Sequence, residues 1–134
     1  PLLKTFRALA LYYTRQVDAA AALLREALEQ NPNLHGVRPF LGMCLSAQGH
    51  HEAARAELNE EAKRTASVDP DIAYAVASVY ALEGERDQAF EWLERSASLG
   101  NENKPCFEHD PNLASLREDA RFKDLIRRIT RPAS

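Results

Sequence analysis

Long apolar runs, glycosylation sequons, closely spaced cysteines and glycine-rich phosphate motifs are all missing from this sequence. Each absence removes a class of protein. No stretch approaches the ~18 apolar residues that a membrane span needs. The opening PLLKTFRALALYY has no clean apolar core and no small-residue cleavage site, so it does not read as a signal peptide. Without an initiator Met it reads as the start of a fragment of a longer protein. Cys44 and Cys106 match no metal-binding or redox spacing, and two thiols so far apart fit a reducing compartment better than a disulfide scaffold. With no N-x-[ST] sequon either, the expected location is the cytoplasm. Only 5 Gly and 7 Pro in 134 residues argue against a loop-rich or disordered chain. A net charge of −3 carries no basic footprint, so neither nucleic acid nor a membrane surface is an expected partner. The P-loop, dinucleotide and nucleophile-elbow patterns and C-x-x-C do not occur. No enzyme, no metal and no cofactor are therefore expected.

What is abundant is Ala, Leu, Glu and Arg, all good helix formers. The stretch GHHEAARAEL, residues 49–58, raises one chemical question. A histidine in place of Arg55 would complete H-E-x-x-H, the metal-binding helix of zinc proteases. Adjacent side chains on a helix point about 100° apart, so His50 and His51 cannot share an ion as i, i+4 ligands do. The stretch reads instead as a polar turn opening a helix, with Glu52 at the positive end of the dipole.

Its wider context is a repeat. TRQVDAAAALLREAL, AQGHHEAARAELNEEA and LEGERDQAFEWLERSA align on Ala20, Ala54 and Ala89, spaced by 34 and 35 residues. The same register aligns Ala8, Gly42 and Ala77; Leu11, Leu45 and Tyr80; and Leu24, Leu58 and Leu93. It also sets Arg15 beside Gly49 and Gly84. Ala20, Leu23, Leu24, Ala27 and Leu28 form one apolar helical stripe, matched by Ala89, Trp92, Leu93, Ser96 and Ala97. Asn31-Pro32-Asn33 and Asp69-Pro70-Asp71 separate the copies, stopping one helix and capping the next.

These copies resemble the tetratricopeptide repeat family, a 34-residue helix-turn-helix unit with small residues at fixed places on both helices. The resemblance covers roughly residues 1–100 and implies an all-α, right-handed solenoid of about three repeats, with boundaries at 1–34, 35–69 and 70–100. Lys4, Arg38 and Ala73 stand where the family has a large aromatic. Glu57 and Glu61 replace Leu23 and Ala27 in the middle copy, which narrows its stripe and predicts a more solvated second helix. An additional residue between Leu58 and Ala77 predicts a longer helix or a looser turn.

Residues 101–134 differ. Gly100 reads as a helix C-cap, Asn101 to His109 as an extended loop, and Asp110-Pro111 as the cap of a short helix. Phe122, Leu125, Ile126 and Ile129 form the stripe of a last helix started by Asp119 and ended by Arg127, Arg128 and Arg131. DPNLASLREDARFKDLIRRI is similar to the segment that closes many bacterial arrays of this family, often at the end of a larger regulatory chain. A solenoid needs such a cap over its last apolar face.

The resemblance implies a concave groove lined by the first helix of each repeat, holding a peptide or a helix of another protein. Its candidate residues here are Leu9, Tyr12 and Tyr13, then Pro39, Met43 and Ser46, then Tyr74, Ser78 and Leu82, with Leu2, Thr5, Ala47 and Ala81 flanking. The surface is mostly apolar and aromatic and lacks the Lys and Asn set with which some members hold a C-terminal carboxylate. A hydrophobic or helical ligand is expected. Two alternatives stay open: Tyr12 or Tyr13 packs inside the stack, or Leu2, Phe6 and Leu9 join two copies in a homodimer.

Overall fold

The computed structural model describes residues 2–130; Arg131 and the side chain of Leu2 lie outside the described residues. Among the described residues the chain is all helix and turn. Its first hairpin joins α1 (Leu2–Tyr13) to α2 (Val17–Gln30). A 3₁₀ turn, His35–Val37, leads into α3 (Arg38–Ala47), followed by α4 (His51–Ala56) and α5 (Glu60–Ala66). The third hairpin is α6 (Pro70–Leu82) and α7 (Arg86–Ser98). Then come α8 (Lys104–His109), a 3₁₀ helix at Pro111–Leu116, and α9 (Ala120–Thr130). No helix among the described residues is long and apolar enough to cross a membrane.

Each hairpin turns by the same device. The first helix ends on a residue in the left-handed region: Arg15 (φ 66°), Gly49 (85°) and Gly84 (78°). The next amide then reaches back to the helix: Gln16 N–H to the Leu11 carbonyl (2.8 Å), His50 to Leu45 (2.8 Å) and Glu85 to Tyr80 (2.9 Å). These are Schellman closures, which satisfy carbonyls that a helix end leaves orphaned. The alignment of Arg15 with two glycines is thus a shared backbone conformation, adopted in the first copy by a residue that has a Cβ. Gly100 (φ 113°) ends α7 in the same way, with Asn101 N–H bonded to the Ser96 carbonyl (3.0 Å).

The hairpins stack on small residues. Ala8, Ala20, Ala54, Ala77 and Ala89 are all buried. At Gly42 a Cβ would stand 3.1 Å from a Val79 methyl and 3.2 Å from the Ala54 carbonyl oxygen, so α3 lies against both α4 and α6 with no room between. Leu24, Leu41, Leu45, Leu58, Val76, Val79 and Leu93 fill the interior between these crossings.

Two sequence expectations need correction. The second helix of the middle repeat is neither simply longer nor followed by a looser turn. It is interrupted between Ala56 and Glu60, within the stretch that holds the 35-residue spacing. Asn59 causes the break: its side chain accepts from the Ala62 amide (2.9 Å) and caps a new helix, whose first turn carries Glu60 and Glu61. Leu58 stays buried across the interruption, so the apolar contact survives the break in the hydrogen-bond ladder. In the tail, Asn101 to His109 is not wholly extended. Asn103 accepts from the Cys106 amide (3.2 Å) and caps α8, with Pro105 in the first turn, where its missing N–H does no harm.

Polar contacts join successive units. Gln48 donates to Asp18 (2.7 Å), and Arg121 to Asp87 (2.8 Å). Glu83 accepts from Ser46 Oγ, His51 Nδ1 (2.7 Å) and Arg55 Nε (3.3 Å), with its own side chain only 1% exposed. His51 and Arg55, the two ends of the H-E-x-x-R stretch, therefore clamp the next repeat. Burial alone would raise the Glu83 carboxyl; the hydrogen bonds from Ser46 and His51 and the charges of His51 and Arg55 outweigh it and hold the group below the ordinary value of 4.5.

Two outcomes follow. The left-handed region costs a non-glycine residue roughly 1–2 kcal/mol, and the freer unfolded chain of glycine takes back part of any gain. Arg15→Gly should therefore raise stability in urea unfolding by about 0.5–1 kcal/mol; a lowered midpoint would refute the role assigned to this turn. Glu83→Gln should cost about 2 kcal/mol at neutral pH, as expected for hydrogen bonds to a charged group. Because the folded Glu83 is more acidic than the unfolded one, its contribution is complete above the unfolded value and vanishes as pH falls through the folded one. The stability gap between wild type and variant should accordingly close in acid, as pH falls through the folded value of Glu83.

Candidate functional site

The first helices α1, α3 and α6 lie side by side and leave an apolar cavity of about 510 Å³. From α1 it is lined by Thr5, Phe6, Leu9 and Tyr13, which share one helical face at i, i+1, i+4 and i+8 spacing. The 3₁₀ turn and α3 add Leu34, Gly36, Val37, Phe40 and Met43. The start of α6 adds Asp69, Asp71, Ile72, Tyr74 and Ala75, and the loop into α8 closes one side with Asn101, Asn103 and Cys106.

Of the residues named from sequence, Leu9, Tyr13, Met43 and Tyr74 line this cavity, and flanking Thr5 joins them. Tyr12 stands beside it, half-buried against the tail. Pro39 and Ser78 are buried among the packed helices, and Ser46 is turned to Glu83. Leu82 is half-buried at the far end of α6, Ala81 is buried, and Ala47 is exposed. The groove expectation omitted Phe40, although it stands one 34-residue period after Phe6 and lines the same cavity. Leu34, Gly36 and Val37 carry no comparable signal, because the 3₁₀ turn that presents them has no counterpart in the other copies. From sequence Asp69 and Asp71 carry only the signal of helix punctuation. Asp69 does cap α6, accepting from the amides of Asp71 (2.9 Å) and Ile72 (3.1 Å).

The tail runs back over the same face. Tyr13 and Tyr74 both donate to Asp110 Oδ2 (2.8 and 2.7 Å), Tyr12 donates to Asn112 Oδ1 (2.5 Å), and Asn112 Nδ2 donates to the Tyr13 oxygen (3.3 Å). Asp110 Oδ1 accepts from the Asn112 amide (2.9 Å), capping the 3₁₀ helix, and Asp110 as a residue is only 5% exposed. The Tyr74 ring stacks on the buried Phe107 (centroids 5.4 Å apart, 10° between planes), and Ser115 donates to the Ala81 carbonyl (3.2 Å). Burial first, and the Asp110 charge next, push the Tyr12, Tyr13 and Tyr74 hydroxyls far above their ordinary value. They remain protonated donors at physiological pH. Tyr12, Tyr13 and Tyr74, named from sequence as groove candidates, thus hold residues 107–112 of the same chain, and of the three only Tyr13 and Tyr74 also line the cavity.

Farther on, α9 lies against α7 and α8. Phe122 and Leu125 are buried, the Arg121 guanidinium sits 4.4 Å above the Phe90 ring, and Arg128 donates to Glu94. Asp119 accepts from the Arg121 amide (2.9 Å) and so starts the helix; the hydrogen bonds from Arg121 hold its carboxyl down at about 2.

Reactive groups are scarce on this face. Cys44 is buried, and burial pushes its thiol up to about 12; burial also raises Cys106, which donates to the Tyr74 hydroxyl (3.3 Å). Neither is an activated thiolate. No group of three or more His, Cys, Asp or Glu among the described residues is placed to hold a metal ion.

A stack of helical hairpins at this period, open on the face of its first helices, defines a helical repeat protein. The family model described as tetratricopeptide repeat matches residues 11–79, just over half of the chain. The chain belongs to the tetratricopeptide repeat family, whose repeats form a non-catalytic fold that generally mediates protein–protein interaction. A search of curated proteins finds no match.

The network around Asp110 gives a direct test. Tyr74→Phe keeps the ring stacked on Phe107 and removes the donor to Asp110. It should cost about 1.5–3 kcal/mol, the range for a hydrogen bond to a charged group. Amide exchange should speed up first in residues 104–116, while the α2 amides stay protected. Uniform loss of protection along the chain would show that the tail is not a separately held layer.

Proposed function

We propose that this chain is a non-enzymatic binding module that holds a peptide or an amphipathic helix of another protein in the cavity between α1, α3 and α6. The observation that carries the reading is the cavity itself: an apolar recess of about 510 Å³, edged by few polar groups, on the face where the repeats present their first helices. The tail fills the neighbouring part of that face, so the segment held is short. The resemblance of the tail to segments that end bacterial regulators supports a place in a larger cytoplasmic regulatory protein.

Exposure on α1 favours a second reading. Leu3 and Phe6, one turn apart, are 71% and 61% exposed. A second copy covering them would make the chain a self-association or structural segment of a multidomain protein.

Site-specific cross-linking separates the two. With p-benzoylphenylalanine at position 6, cells of the source organism should yield an adduct with a different protein; the same group at position 91, on the outer side of α7, should not. Light scattering should give a monomer for the purified chain. An adduct of two copies, with a dimer in solution, would establish the second reading, and no adduct at position 6 would sink the first.

A further inference from the structure

We propose that the cavity selects a partner segment in which two or three apolar side chains are accompanied by a lysine or arginine. This rests on the reading of the cavity as a protein-binding site and adds the charge of what it binds.

The apolar part of the preference follows from Phe6, Leu9, Phe40, Met43 and Ile72, which supply most of the wall. The charge follows from what stands among them. Asp69 and Asp71 line the cavity, and among the described residues no Lys, Arg or His does. Neither carboxylate takes part in an ion pair among the described residues. Asp69 Oδ1 is engaged with two backbone amides, and Asp71 is exposed.

A third carboxylate stands directly behind the wall. Asp110 receives only uncharged donors: the two tyrosine hydroxyls and the Asn112 amide. Arg117, the cation bonded to this residue, donates to its backbone carbonyl and not to its carboxylate. Asp110 is buried and, among the described residues, has no ion-pair partner, so its carboxylate lies in a medium that screens less than water does.

The nearby cations are turned elsewhere. Lys4 reaches back to Glu26 (3.3 Å) and Gln30 (2.8 Å) on α2, Lys104 to Glu108 (3.9 Å), and Arg38 to Glu57 (3.2 Å). Arg7 lies on α1 outside the lining. Against the carboxylates stands the positive end of α6, worth about half an elementary charge. The carboxylates outweigh it. An acidic segment or a chain terminus ending in a carboxylate is repelled, and a basic side chain at the Asp69–Asp71 edge is drawn in.

The test uses a phage library of random dodecapeptides, selected on the immobilised chain and on the Asp69→Asn/Asp71→Asn variant. Asparagine caps helices as well as aspartate does, so the variant keeps the start of α6. The wild-type pool should combine Leu, Ile, Phe or Met with Lys or Arg and should bind weakly to Phe6→Ala, a change at an exposed position that the fold tolerates. Replacing the basic residue of a selected peptide by Gln, or both aspartates by Asn, should weaken binding about two- to fivefold at low salt and much less at high salt. A wild-type pool that is apolar but neutral or acidic, and bound equally by the Asn variant, overturns the charge preference and leaves the cavity as a protein-binding site. No pool sensitive to Phe6→Ala removes both. A wild-type dimer that the Asn variant dissolves would make the occupant α1 of a second copy, with its Leu3, Lys4, Phe6 and Arg7, and would overturn the assignment to another protein.

Discussion

Helices stack at this spacing only where nothing much larger than a methyl group stands between their axes. Ala8, Gly42 and Ala77 hold that place on the first helices, and Ala20, Ala54 and Ala89 on the second. The rest of the structure depends on these crossings. One hairpin cannot bury both of its apolar faces, so each must borrow a surface from the next. It can do so only if the backbones come close enough for Leu24, Leu58 and Leu93 to reach across. At Gly42 that limit is visible directly: a Cβ there would press on the Ala54 carbonyl oxygen and a Val79 methyl.

Polar contacts then set the register between units. Asp18 with Gln48, His51 and Arg55 with Glu83, and Asp87 with Arg121 link groups about one repeat apart. The most buried of these, at Glu83, is the one with the most donors. That matches the rule that a buried carboxylate persists only when its hydrogen-bonding capacity is met. In this light the stretch around His51 is a structural clamp on the next repeat.

The tail changes what the open face can hold. Asp110 gathers the hydroxyls of two helices that belong to different repeats, so residues 107–116 fasten α1 to α6 as well as covering α6. What remains open is a short recess with aliphatic and aromatic walls and an acidic edge. Phe107, stacked on Tyr74 and wholly buried, makes the tail part of the core and not an appendage to it.

Much of this was legible in the residues alone. The 34-residue period, the pairing of small residues, the glycine turns and the stripes of α2, α7 and α9 are local patterns, set by helix geometry and by which backbone angles a side chain permits. The sequence by itself therefore determined the class of fold and the three hairpin repeats in their order. Three features depend on contacts between residues far apart in the chain. The break at Asn59 required weighing a cap against a continuing helix, a choice that the buried Leu58 and the neighbouring units make. The role of Tyr12, Tyr13 and Tyr74 turned on partners about 36 to 100 residues away, which no periodicity reveals. The acidic edge of the cavity arose because Asp69 and Asp71 line it while Lys4, Arg38 and Lys104 pair with glutamates elsewhere. Such a charge balance exists only once the chain is folded, since it is set by distance in space and by burial.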